Sequence, residues 1–158
     1  MDASIRAQII GLLDEHRIMS LATQRADGWP QATTVGYVND GLTLYFLCGS
    51  DSQKAKNLSR DDRVSLTIDH DVSDPMAIKG LSMAARATLV LDQLQAQQMM
   101  RVMLPKRYPE YAAAMGTMDL SGVVIFMVTP EVVSVLDYSK GFGHADLVTV
   151  STADRAAA

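Results

Sequence analysis

Polar and apolar residues alternate with a period of two from Arg63 to Asp69: Val64, Leu66 and Ile68 fall between Ser65, Thr67 and Asp69. That spacing sends apolar side chains to one face of a β-strand and polar ones to the other. Residues 17–25 form a first predicted strand. A second runs from Gln31 to Val38, where Thr33, Thr34, Val35, Tyr37 and Val38 suit a pleated surface. Leu42 to Cys48 is a third, almost wholly apolar and expected to be buried on both faces. More strand is expected from Met76 to Leu91, broken near Gly80. Val123 to Val128 is strongly extended; Pro130 should break it before Val132 to Leu136 resumes. Ala26-Asp27-Gly28 and Asn39-Asp40-Gly41 supply turn residues that tolerate positive φ.

Helical spacing appears over residues 4–16, where Ile5, Ile9, Leu12 and Leu13 share a face and Asp2 or Ser4 can cap. A short helix is predicted from Ser52 to Leu58. Another starts at Asp92 and runs to about Met103. Pro105 and Pro109 punctuate the next connection, with a helical piece from Pro109 to Met115. Residues 137–150 read as partly loop, with the barrel strands ending near Leu136. The tail, residues 151–158, is small and polar and expected to be disordered. Extended segments with helices at the start and middle predict a mainly β fold: one domain over residues 1–150, a small antiparallel barrel with helical covers.

Composition narrows the function classes. The 158 residues are 48% apolar and 20% charged, with a formal net charge of −4, which argues against a nucleic-acid-binding surface. Cys48 is the only cysteine, so no intrachain disulfide forms; a reducing cytoplasm is expected. No segment has the roughly 18 consecutive apolar residues of a membrane helix. His16, His70 and His144 lack ligand spacing, so no metal site is expected.

Candidate chemistry concentrates after the third strand. Ser52 and Lys54 open the short helix, whose unpaired N–H groups and dipole favour an anion. A phosphorylated small ligand is the leading expectation, with Lys54 as its counter-charge and Lys56 solvated. Trp29 is expected to pack locally in its hairpin, and Cys48 to be an inert core thiol. Arg101, Lys106 and Arg107 fit either an acidic ligand or a solvated helix end. Ser139 to His144 contains Lys140, Phe142 and two glycines, Gly141 and Gly143, and could form a loop over a cleft.

In order and spacing, the chain resembles the FMN-binding split-barrel superfamily, whose best-known member is pyridoxamine 5′-phosphate oxidase. The resemblance is carried by Met19-Ser20-Leu21-Ala22-Thr23, Asp27-Gly28-Trp29-Pro30, Gln31-Ala32-Thr33-Thr34-Val35, Asn39-Asp40-Gly41, Leu44-Tyr45-Phe46-Leu47, Ser52-Gln53-Lys54-Ala55-Lys56-Asn57-Leu58 and Asp62-Arg63-Val64-Ser65-Leu66. It implies a split antiparallel barrel that is a homodimer, with FMN at the subunit interface and a small-molecule substrate; deazaflavin or haem are the alternative cofactors. It implies that Gln31, Ala32, Thr33 and Thr34 line the flavin, that Phe46 and Leu47 wall it, and that Ser52, Gln53 and Lys54 hold its phosphate. Lys79, Gly80 and Leu81 would approach from the other subunit. Apart from the resemblance, a bend at Gly141 and Gly143 is expected to carry Lys140 or Phe142 to the cleft mouth. The family's oxidase pattern carries basic residues where this chain has Gln31 and Gly36, and an Arg-rich, Trp-containing end that is missing here. The expected activity is therefore an FMN-dependent oxidoreductase with pyridoxamine phosphate a poor substrate, or else a non-enzymatic flavin- or haem-binding stress or sensing module.

Overall fold

The computed structural model describes residues 1–115 and 119–156. It opens with helix α1 (Ala3–Glu15), capped by Asp2, whose carboxylate accepts from the Ser4 and Ile5 N–H groups. Strands β1 (Ile18–Gln24) and β2 (Pro30–Gly36) form a hairpin, and β3 (Val38–Asp40) and β4 (Thr43–Gly49) form a second. Helix α2 (Gln53–Leu58) leads to β5 (Arg63–Ile68) and β6 (Lys79–Leu89). Then come α3 (Gln93–Arg107), α4 (Ala112–Met115), β7 (Val123–Asp137), β8 (Ala145–Thr149) and α5 (Thr152–Ala156).

All strand pairs are antiparallel, in the order β2-β1-β5-β6-β7-β4-β3, with β8 added to β7. The sheet curls until β2 approaches β4 without pairing with it. This is a split antiparallel barrel. The expected second strand is divided at Tyr37, because the chain there leaves one end of the sheet, β2, and enters the other, β3. The Tyr37 ring is fully buried and its hydroxyl donates to the Leu13 carbonyl at 2.8 Å. Burial pushes this phenol's pKa up, so it stays a donor.

The core lies on the concave face, built from Ile9, Leu13, Met19, Leu21, Leu44, Phe46, Leu66, Leu81 and Met83 among others. Phe46 stacks on Phe126 with ring centroids 5.4 Å apart. A second cluster on the other face of β4 packs Tyr45 and Leu47 against Ala96, Met100 and Leu104 of α3. The third strand is thus covered on both sides, fully on one and partly on the other. Cys48 is buried there.

Several boundaries differ from the sequence expectation. Pro130 does not break β7; it stays paired with Ala85, next to a register shift at which Glu131 has no partner on β6. Gly80 does not break β6: a Cβ there would lie 2.7 Å from the Ile68 carbonyl oxygen, so glycine permits close pairing with β5. Helix α3 runs past Pro105 to Arg107, whose guanidinium donates to the Leu13 and Asp14 carbonyls at the end of α1 and to Asn39. This explains Arg107 without an acidic ligand. Trp29 does not pack locally but stands 73% exposed.

The chain also continues as structure beyond Leu136. Gly141 and Gly143, both at positive φ, turn it back so that β8 pairs with Val132–Leu136. Val150 enters the core and its N–H donates to the Glu131 carbonyl at 2.8 Å. The segment expected to be a disordered tail holds α5, where Arg155 donates to the Pro130 carbonyl and Asp154 accepts from Ser151 and the Met1 amino group. The last two residues of that expected tail, 157 and 158, lie outside the described residues. Deleting residues 139–146 removes the start of β8 and the turn that registers it. The deletion should lower the thermal unfolding midpoint by more than about 5 °C, from the ~2–4 °C per kcal/mol of a chain this size; an unchanged midpoint by calorimetry would mean that β8 adds nothing to the barrel.

Candidate cofactor site

The seam between β2 and β4 is where the sheet fails to close, and α2 fills one end of it, touching β1 and β4. Asn57 is the pin. It is 1% exposed, donates from Nδ2 to Thr23 Oγ1 at 2.9 Å and to Gln31 Oε1 at 3.2 Å, and accepts from Gln53 Nε2 at 2.9 Å. One amide thereby joins α2 to β1 and β2 across the gap. Such a buried network holds its geometry only while every member is matched.

On this frame Ser52 caps α2, its Oγ accepting from the Ala55 N–H at 3.3 Å. Its hydroxyl proton remains available to an anion. Lys54 is half-buried in the first turn and belongs to none of the ion pairs among the described residues. By contrast, Arg63 is held by Asp61 at 2.6 Å, which keeps the Asp61 carboxyl well below its usual range. A lysine in the first turn of a hydroxyl-capped helix suits a phosphate group.

Strand alternation sorts the other expected site residues. On β2, Ala32, Thr34 and Gly36 face outward, while Gln31, Thr33 and Val35 face the interior side. Thr33 Oγ1 is buried without a hydrogen-bond partner, and Gln31 is engaged by Asn57. On β4, Leu47 lies on the outer face, half-buried. Phe46 is 0% exposed, so its side chain is core and not a flavin wall; only its backbone can reach a ligand at the seam. Gln53 donates one amide N–H to Asn57, and its second N–H remains a donor. Strand alternation thus puts Ala32 and Thr34 on the outward face of β2 and Leu47 on the outer face of β4, while Ser52 and Lys54 open α2, which touches β1 and β4.

The remaining candidates lie elsewhere on the chain. Lys79 is exposed at the start of β6, Gly80 packs on β5, and Leu81 is a core side chain. Lys140 forms an ion pair with Asp146 at 3.1 Å, and His144 approaches the same carboxylate at 3.3 Å. Phe142 is 83% exposed and meets Tyr138 edge-on. This segment starts β8 rather than covering the seam of its own chain. His16 and His70 meet, with 2.7 Å between Nε2 and Nδ1, a contact that separation in sequence conceals. Among the described residues no group of three metal-ligating side chains forms. Asn57 was legible only as one polar residue in a short helix; its role depends on three elements meeting.

A curled antiparallel sheet with a plugged seam defines the split-barrel class. Within it, the model of the pyridoxamine 5′-phosphate oxidase family matches residues 5–137, and the chain belongs to that family. General stress protein 26 of Bacillus subtilis is 28% identical over 67 residues, 42% of this chain and 47% of that protein, so the match spans less than half of the relative. A haem-binding protein of Mycobacterium smegmatis superposes with a TM-score of 0.71 at 25% identity, over 94% of this chain and 58% of that one. A FAD-binding protein of Mesorhizobium loti superposes with a TM-score of 0.62 at 19% identity, over 84% and 92%. No helix among the described residues is long and apolar enough to cross a membrane.

Replacing Asn57 by Leu strands the Gln53 amide, Thr23 hydroxyl and Gln31 carbonyl together. The expected loss is about 1–3 kcal/mol of unfolding free energy, read as a lower urea midpoint with an unchanged slope.

Proposed function

We propose that this chain binds FMN along the β2–β4 seam and acts, as a homodimer, as an oxidoreductase on a small molecule. The observation that carries the reading is Lys54: a half-buried lysine, in no ion pair among the described residues, in the first turn of the helix that Ser52 caps and that touches β4. Lys54 and Ser52 would hold the phosphate, backbone groups of Ala32 to Thr34 would meet the polar edge of the ring, and Leu47 would support its apolar part. When bound, the flavin supplies the hydride chemistry; the chain's part is to orient it and shield it from water. The outer residues of β2 are small, which lets a flat ring lie close to the strand.

A dimer is supported by the convex face of the sheet. Two lateral rows cross six neighbouring strands: Thr34, Ser20, Thr67, Ser82, Ser134 and Leu147, then Ala32, Ala22, Ser65, Ala84, Val132 and Thr149. None of these side chains is charged, although most are exposed in the single chain. A solvated sheet face ordinarily carries charge throughout, and two neighbouring uncharged rows suit burial against a second copy of the chain. The rows include Ala32 and Thr34, so the partner would border the seam.

A second reading, haem binding without catalysis, draws support from the likeness to the haem-binding protein of Mycobacterium smegmatis. Titrating the apoprotein with FMN, FAD, a deazaflavin and haem separates the two. Under the flavin reading FMN binds tightest, and Lys54→Ala weakens it about tenfold to a hundredfold by losing a charge-assisted hydrogen bond. Preferential haem uptake with a Soret band, unaffected by Lys54→Ala, would favour the second reading. For the assembly, Ala22→Glu puts a charge in the middle of the uncharged band. Sedimentation should show the wild-type chain as a dimer at micromolar concentration and this variant as a monomer.

A further inference from the structure

Between the end of β2, β4 and α3 lies a cavity of about 330 Å³. Gly36 closes the end of β2, Leu47 comes from β4, Met100 and Leu104 from α3, and Tyr108 and Tyr111 from the segment after it. Among the described residues no charged side chain lines it. The Tyr108 hydroxyl is already committed, donating to the Arg17 carbonyl at 2.5 Å and lying 3.3 Å from that of Tyr37. A larger cavity of about 650 Å³ lies by α3 and the end of α1, but it is lined by three cationic and three acidic side chains, of which Arg17 with Glu110 and Arg107 with Asp14 are ion pairs.

We infer that the smaller cavity is a binding site for an uncharged, flat, apolar molecule of one or two rings, the ring portion of the substrate. The inference rests on the flavin reading for the word substrate, but the binding itself does not. Three observations carry it. The volume lies at the small end of ligand pockets, which are about 300–1,000 Å³, too small for a nucleotide. The lining offers side-chain carbon, sulfur and aromatic faces, so a charged group entering it would lose its hydration with nothing to replace it. Met100 and Leu104 form its floor with flexible side chains, and Met adapts to irregular apolar shapes. Gly36 is the reason the cavity and the strand meet: a Cβ there would lie 2.7 Å from the Tyr108 hydroxyl. Leu47 borders both the cavity and the seam, so a ring bound here lies beside a flavin held by Lys54 rather than on top of it.

The test uses the full chain and two probes of one ring system, menadione and its sulfonate, by isothermal titration. Menadione should bind, and the sulfonate at least about tenfold more weakly. Leu104→Gln and Tyr111→Ser should each weaken menadione several-fold. Tyr111 is 57% exposed, so its variant keeps the test alive if Leu104→Gln fails to fold. Saturating FMN should leave menadione bound. No binding by the wild-type chain, equal binding of both probes, indifference to both variants, or displacement by FMN would each overturn the inference. Lys54→Ala separates the two readings: it should weaken FMN and spare menadione. Menadione binding in a chain that takes up no FMN would sink the flavin reading and leave the cavity's ligand class standing.

Discussion

Tyr37 is the corner on which the architecture turns. The sheet has two ends, β2 and β3, and the chain passes directly from one to the other through this residue. A fully buried phenol must find an acceptor, and it finds the Leu13 carbonyl in the last turn of α1. Arg107 sits over the Tyr37 ring, 5.5 Å from its centroid, and takes the Leu13 and Asp14 carbonyls from the other side. The C-terminus of α1, the end of α3 and the sheet corner are therefore one polar cluster. It brings the sheet ends together without pairing them, and the unpaired gap is the seam.

A seam of this kind creates both a liability and a site. Unpaired strand edges need cover, and α2 supplies it at one end through the Asn57 amide. The same helix presents Ser52 and Lys54 to solvent beside the gap. At the other end α3 supplies cover with Met100 and Leu104, leaving an apolar hollow instead of a cation. The cover is polar at α2 and apolar at α3 because of the side chains that each helix brings to one unclosed barrel.

Much of this was legible in the chain. The strands from 17 to 69, the caps at Asp2, Ser52 and Asp92, and the hairpin at Asn39 to Gly41 all follow from local chemistry, and the structure has them. The differences cluster where local rules meet tertiary compensation. Pro130 reads as a breaker, but a bulge absorbs it. Pro105 reads as a stop, but the helix end beyond it is tied down by Arg107 and by the Tyr108 N–H to the Leu104 carbonyl. The last twenty residues read as loop and tail because small residues and glycines give no periodic signal; pairing of β8 with β7 and burial of Val150 supply the order from outside the segment.

By itself the sequence determined the element types, the barrel class and the position of a cation and hydroxyl at a helix start, because each depends on residues close together in the chain. Which face of a strand a residue occupies also follows from period two, so consecutive residues of one strand cannot both point into a site. Phe46 and Leu47 are neighbours in sequence and lie on opposite faces, one in the core and one at the seam. Only the tertiary structure decided that Asn57 bonds Thr23 and Gln31, that His16 meets His70, that Arg107 serves α1, and that two uncharged rows line up across six strands of the convex sheet face. Those facts depend on the register between strands and on which elements share a corner, and long-range register is set by how the whole apolar set packs at once rather than by any local stretch.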